Sequence, residues 1–222
     1  MVQNPGNKLA QSILRHAGKV EYFCTAENIS PNQAVHELRK LFKRLRSLFR
    51  FYVHIPESNA ESLREQMKQF GRQLAPLRES YVNARLFEEE MRGENLIPDR
   101  KMKTAADAFL LQNRALVGQN LRESPICKEI SHFLTNFDTH LKEAGSQEVS
   151  GINIVCELSR SYQKCYGIYH ALPAEPSALE LHSLRKKLKR LYFQLDFFRM
   201  LLPKFFKAKY EQLNMLNDLL GD

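Results

Sequence analysis

His36, Arg39, Lys43, Arg46 and Arg50 recur at alternating intervals of three and four residues within Val35 to Tyr52, VHELRKLFKRLRSLFRFY. Such intervals stack side chains on successive turns of one helix face. These residue types suit an oxyanion: guanidinium groups offer a planar fork to phosphate or carboxylate, and ammonium groups offer a point charge. A histidine beside phosphate gains a proton and becomes another charged donor. Lys40 and Arg44 lie just outside the band, and Glu37 is the one acid in the stretch. Stacked like charges repel. A face built only for solvation would intersperse acids, whereas an anionic ligand relieves the repulsion.

The pattern returns in Leu181 to Phe198, LHSLRKKLKRLYFQLDFF. Both stretches contain His-x-x-Arg-Lys-x-x-Lys-Arg-Leu: His36, Arg39, Lys40, Lys43, Arg44, Leu45 and His182, Arg185, Lys186, Lys189, Arg190, Leu191. Leu38 then matches Leu184, and Phe51 matches Phe197. A charged match with fixed gaps reads as an internal duplication of long period. The net charge of +8 is concentrated in these stretches: 36–50 and 182–190 each carry +5, leaving −2 for the rest. Basicity confined to two segments points to a polyanion site.

Other chemistries find little support. No carboxylate lies at ligand spacing beside His36 or His182, so no metal is expected there. A phosphate-cradling glycine loop, a placeable Cys/His pair and a Mg²⁺-holding carboxylate cluster are all missing from the sequence. Glu88, Glu89 and Glu90 are consecutive on a helix and diverge. Catalysis and cofactors are therefore not expected. Cys24, Cys127, Cys156 and Cys165 show neither metal spacing nor a disulfide framework and read as reduced thiols. Charge alone does not separate RNA or DNA phosphate from an all-phosphate polymer, and a basic docking module for acidic protein segments is a third class. Base readout needs exposed aromatics beside the cations. In both basic stretches the aromatics fall mostly with the leucines; Phe51, Tyr192 and Phe193 are the exceptions. Lys204, Lys207 and Lys209 could extend the basic surface.

The elements that must position these cations are all helical. In the first stretch Leu38, Leu41, Phe42, Leu45, Leu48, Phe49 and Tyr52 share one face at roughly 100° per residue, with Val35 at its edge. A short helix is expected from Lys8 to about Phe23. Ser30 caps the first basic helix, with Pro31 at its first position, and this helix runs to about residue 54. Ser58 or Asn59 caps a helix to about Met91, kinked or split at Pro76. Arg92 to Asn95 closes it. Further helices are expected at about 99–121, 125–144, 152–172, 177–201 and from Pro203 to about Leu220. The loop is Gly145 to Gly151, and Ser177 is the cap of the second basic helix. Cys156, Tyr162, Cys165 and Tyr166 are expected inward. Seven or eight helices and almost no strand follow. The amino-terminal residues lack an apolar signal core, and no run is long enough to span a membrane, so a soluble cytoplasmic chain is expected.

At these residues the chain resembles the CHAD family, the conserved histidine α-helical domain, which carries two such His/Arg/Lys helices. Two more stretches agree. Leu77 to Val82, LRESYV, looks like the family's Leu-x-x-Arg-Asp-x-x-Val helix start, with Glu for Asp. Leu213 to Gly221, LNMLNDLLG, looks like its Leu-x-x-Leu-Gln-Asp-x-Leu-Gly segment, with Asn217 for Gln. The resemblance covers 8–222 and implies an all-α fold of two antiparallel helical bundles related by a pseudo-two-fold axis. The halves would be about 8–121 and about 148–222. The family's second half normally continues for further helices, which implies an incomplete second bundle here. The resemblance further implies a basic cavity that binds inorganic polyphosphate and an association with polyphosphate granules. His36, Arg39, Lys40, Lys43, Arg46, Arg50, His182, Arg185, Lys186 and Lys189 would line that cavity, joined by Arg78 from the family motif.

Overall fold

In the computed structural model, every regular element among the described residues, 5–56, 58–92, 100–123, 125–143 and 149–220, is a helix. In chain order these are α1 (Pro5–Thr25), α2 (Pro31–Leu48), a 3-10 turn (Phe49–Tyr52), α3 (Ala60–Gln73), α4 (Ala75–Arg92), α5 (Arg100–Glu123), α6 (Pro125–Thr135), α7 (Phe137–Glu143), α8 (Gly151–His170), α9 (Ala178–Leu201) and α10 (Pro203–Leu219). This exceeds the expected seven or eight because two expected helices are each divided. One divides at Leu74, just before Pro76, which lacks the N–H an uninterrupted helix would need. The other divides at Asn136. The expected closure at Arg92–Asn95 falls partly, and the loop from Gly145 mostly, outside the described residues. The chain's last two residues lie wholly outside them.

Local chemistry explains the helix starts. The Ser30 hydroxyl accepts from the Gln33 N–H at 3.3 Å and caps α2. Ser58, one of the two expected caps for α3, accepts from the Ala60 N–H at 3.1 Å. At α9, Ser177 and Glu180 form a reciprocal capping box: the Glu180 N–H reaches the serine hydroxyl, and the Ser177 N–H reaches the carboxylate at 2.8 Å. The Ser177 hydroxyl, donating to the Glu180 carboxylate at 2.7 Å, and then the Ser177 N–H hold that carboxyl below its ordinary pKa. Ser150 and Asn153 make the same box at α8.

The α2 helix stops being α-helical at Leu48, short of residue 54. The following 3-10 turn winds more tightly and turns Phe49, Phe51 and Tyr52 all into the core. Phe51 is 1 % exposed and meets Phe198 edge to face at 5.8 Å. Phe193 is 2 % exposed. Two of the three aromatics expected outside the leucine face are therefore core residues. The third, Tyr192, stacks on Tyr210 at 4.7 Å.

The chain divides into two compact units. One comprises Met1–Arg15, Lys43–Glu65 and Asp138–Asp222; the other comprises His16–Phe42 and Gln66–Phe137. In the first, Cys165, Leu184, Leu188, Leu191, Leu195 and Leu213 form a core cluster from α8, α9 and α10. Burial pushes the Cys165 thiol up to about 11. Cys156, Tyr162 and Tyr166, expected inward, are exposed, because α8 buries the face of Ile154, Glu157, Ser161 and Cys165 instead. In the second unit, Phe42, Phe70, Phe133 and Phe137 form a chain of rings at 5.5–5.6 Å. Gly118 permits close approach there: a Cβ would sit 3.2 Å from Pro31.

Candidate functional site

The first unit gathers its cations around one buried acid. Glu157 on α8 is fully buried, and its carboxylate takes a two-pronged contact from Arg50. The Ser161 hydroxyl donates to the same carboxylate at 3.2 Å, and His54 Nε2 lies 3.4 Å away. Arg64 from α3 donates to the Arg46 carbonyl at 3.2 Å and pairs with Glu61. Arg190 from α9 completes the group. Its pKa is lowered below the ordinary arginine value first by burial, then by the positive charges of Arg50 and Arg64, and further by Arg46, while Glu157 acts in the opposite sense. Lys187, one turn earlier on α9, is lowered first by burial and then by Arg190, Lys164 and Arg50. Arg50 pairs with that buried carboxylate, Arg64 and Arg190 feel its charge, and Arg46 and Lys187 act on Arg190 as like charges, so the excess charge of the group is positive. An anion at the cluster would offset both the desolvation and the repulsion.

The expected site residues divide between the units. Lys43, Arg46, Arg50, His182, Arg185, Lys186 and Lys189 belong to the first. Arg46 and Arg50 are in the cluster. Arg185 donates to the Asn217 carbonyl of α10 at 3.2 Å, and Lys189 lies over the Tyr192 ring at 5.0 Å. His182, Lys186 and Lys43 are exposed. Lys204, Lys207 and Lys209 are exposed on α10. His36, Arg39, Lys40 and Arg78 belong to the second unit. There Arg39 donates to the Gly71 carbonyl at 2.6 Å, and its pKa is lowered chiefly by burial, with Glu79 raising it and Arg78 lowering it. Arg78 lies over the Tyr81 ring at 5.3 Å. Lys40 pairs with Glu37 at 3.4 Å, and His36 is exposed.

Arg64, Arg190, Lys187, His54 and Glu157 were not among the expected site residues. Arg190 carried a usable signal, since it is part of the repeated motif. Arg64 and Glu157 carried none, because each reaches the cluster from a helix with no motif of its own. No group of three or more His, Cys, Asp or Glu placed to hold a metal occurs among the described residues. None of the described helices is long and apolar enough to cross a membrane.

The family model of the CHAD domain matches residues 12–222. No curated protein and no solved structure matches the chain.

Proposed function

The chain belongs to the CHAD domain family, and from that premise we propose that it binds inorganic polyphosphate without transforming it. CHAD domains are associated with polyphosphate-related proteins in general. The observation that carries the reading here is the mutually repelling group of Arg46, Arg50, Arg64, Arg190 and Lys187, in which the buried Glu157 pairs with Arg50. Several guanidinium groups within Coulomb range of one another suit a ligand that is charged at every unit. Of the three aromatics beside the cations, Phe51 and Phe193 are buried and Tyr192 is stacked on Tyr210, which favours an all-phosphate polymer over RNA or DNA.

An internal duplication supports the same reading. Arg39 and Arg185 hold equivalent places in the two basic motifs. Each donates to a backbone carbonyl 32 residues further on, Gly71 and Asn217. Lys43, Lys186 and His182 extend the anion surface at the exposed edge. Association with polyphosphate granules in the cytoplasm follows from such affinity.

The test is titration of the full chain with long-chain polyphosphate, RNA and duplex DNA at several salt concentrations. Tight, steeply salt-dependent polyphosphate binding that RNA of equal charge does not displace supports the reading. Preference for RNA replaces it with nucleic-acid binding.

A further inference from the structure

α8 presents a second face that the core of its unit does not use. Ile152, Val155, Ser159, Tyr162, Tyr166 and Tyr169 recur at intervals alternating between three and four residues, the spacing of a coiled-coil seam. The stripe is bare: Ile152 is 77 % exposed, Val155 65 %, Tyr162 57 %, Tyr166 53 % and Tyr169 62 %. The rings pack along the helix on one another, Tyr162 on Tyr166 at 6.1 Å and Tyr166 against His170 at 4.0 Å.

Charge identifies the occupant. The positions flanking the stripe are Gly151, Cys156, Leu158, Gln163, Cys165 and His170, with no Lys, Arg, Asp or Glu among them, in a chain that is 26 % charged. Arg160 and Lys164 lie roughly 150° away around the helix at 100° per residue. A nucleic-acid stacking platform interleaves its aromatics with cations, and this face does not. An acidic or basic partner would find no counter-charge. The spacing is also its own mirror image. When two copies of α8 run antiparallel, Ile152 falls opposite Tyr169, Val155 opposite Tyr166, and Ser159 opposite Tyr162, each twice over. At about 200 Å² per tyrosine, the exposed parts of the three rings alone supply roughly 350 Å² on each copy. Ile152, Val155 and the flanks bring a two-fold pair near the ~1,000 Å² of a specific interface.

We infer that α8 is a self-association surface, on which a second copy of this chain docks its own α8 antiparallel. A two-fold contact of this kind closes on itself and makes dimers, not filaments. The dimer would also hold two polyanion sites on one particle, although the inference does not depend on what those sites bind.

Sedimentation equilibrium of the full chain, freed of nucleic acid and polyphosphate, tests it. The expected species has twice the 25.9 kDa monomer mass and persists in high salt, because its contact is apolar. Tyr162→Glu and Val155→Glu should each give monomers with unchanged circular dichroism, whereas Arg160→Glu, on the far flank, should remain dimeric. Orientation is read in a Cys156→Ser background. Ile152→Cys combined with Tyr169→Cys should form a disulfide-linked dimer. Ile152→Cys alone should not, because antiparallel pairing holds the two residue-152 positions about 25 Å apart, 17 residues at 1.5 Å rise. A chain that stays monomeric at high concentration, a dimer indifferent to Tyr162→Glu, or cross-linking by Ile152→Cys alone would each overturn the inference.

Discussion

The Arg44 guanidinium lies 2.6 Å from the Asp196 carboxylate and ties the end of α2 to α9. Asp196 is buried and also accepts from Arg199 at 2.7 Å, while Arg44 covers the Phe193 ring at 5.4 Å. In the repeat register, Arg44 corresponds to Arg190 and Asp196 to Arg50. The equivalent pairing is therefore Arg190 with Arg50, two like charges, with Glu157 supplying the missing anion. The Arg44 contact is a structural ion pair, whereas Arg190 and Arg50 belong to the cationic cluster.

Arg44→Ala should accordingly act on stability and not on ligand. The loss should be about 2 kcal/mol, the scale of a charged hydrogen bond, because Arg199 still pairs Asp196. Urea unfolding measures it. Polyphosphate affinity should change much less than in a variant of the cluster.

Arg64→Ala together with Arg190→Ala should weaken long-chain polyphosphate binding far more than Lys128→Ala with Lys142→Ala. Lys128 is exposed and belongs to the other unit, and Lys142 pairs with Asp138 at 2.7 Å. The salt slope should fall by about two contacts, using the duplex-DNA rule as a guide. Equal slopes in both double variants would remove the cluster from the binding site.

Glu157→Gln should move stability and binding in opposite directions. Breaking a buried pair costs about 3 kcal/mol, so the free protein should melt lower. The cluster, one negative charge poorer, should hold polyphosphate several-fold tighter, and saturating ligand should recover part of the lost melting temperature. Weaker binding would mean that Glu157 serves the ligand by positioning Arg50.

Cys127 should alkylate at lower pH than Cys24. A hydrogen bond from the Cys24 thiol lowers the Cys127 pKa and raises that of Cys24, with burial raising it further. Cys127 also lies in the first turn of α6, where thiolates are favoured. A lowered pKa gives more thiolate at a given pH, so Cys127 reacts first. Cys24→Ala should shift its pH–rate profile upward. Peptide-level mass spectrometry after iodoacetamide pulses gives both profiles.

Much of this protein is written locally. Ser30-Pro31, Ser177 with Glu180, the Pro173–Pro176 break and Pro203 mark helix ends, because capping is a contact between near neighbours. The two charged motifs and their 3.6-residue period also name the cations and place them opposite the leucines. What the period leaves open is which neighbour lies against each face. Arg39 looks equivalent to Arg46 and Arg50 along the helix, yet it is tied to Gly71, as Arg44 is to Asp196 and Arg185 to Asn217. The 3-10 turn after Leu48 and the exposed tyrosines of α8 were likewise invisible, because both depend on what packs alongside. The sequence by itself determined the helices and the concentration of positive charge in two of them. Only the tertiary structure decided that Arg64 and Arg190 would join Arg50 beside Glu157, because a buried carboxylate gathers cations by distance in space, and residues 50, 64, 157 and 190 become neighbours only when the chain folds.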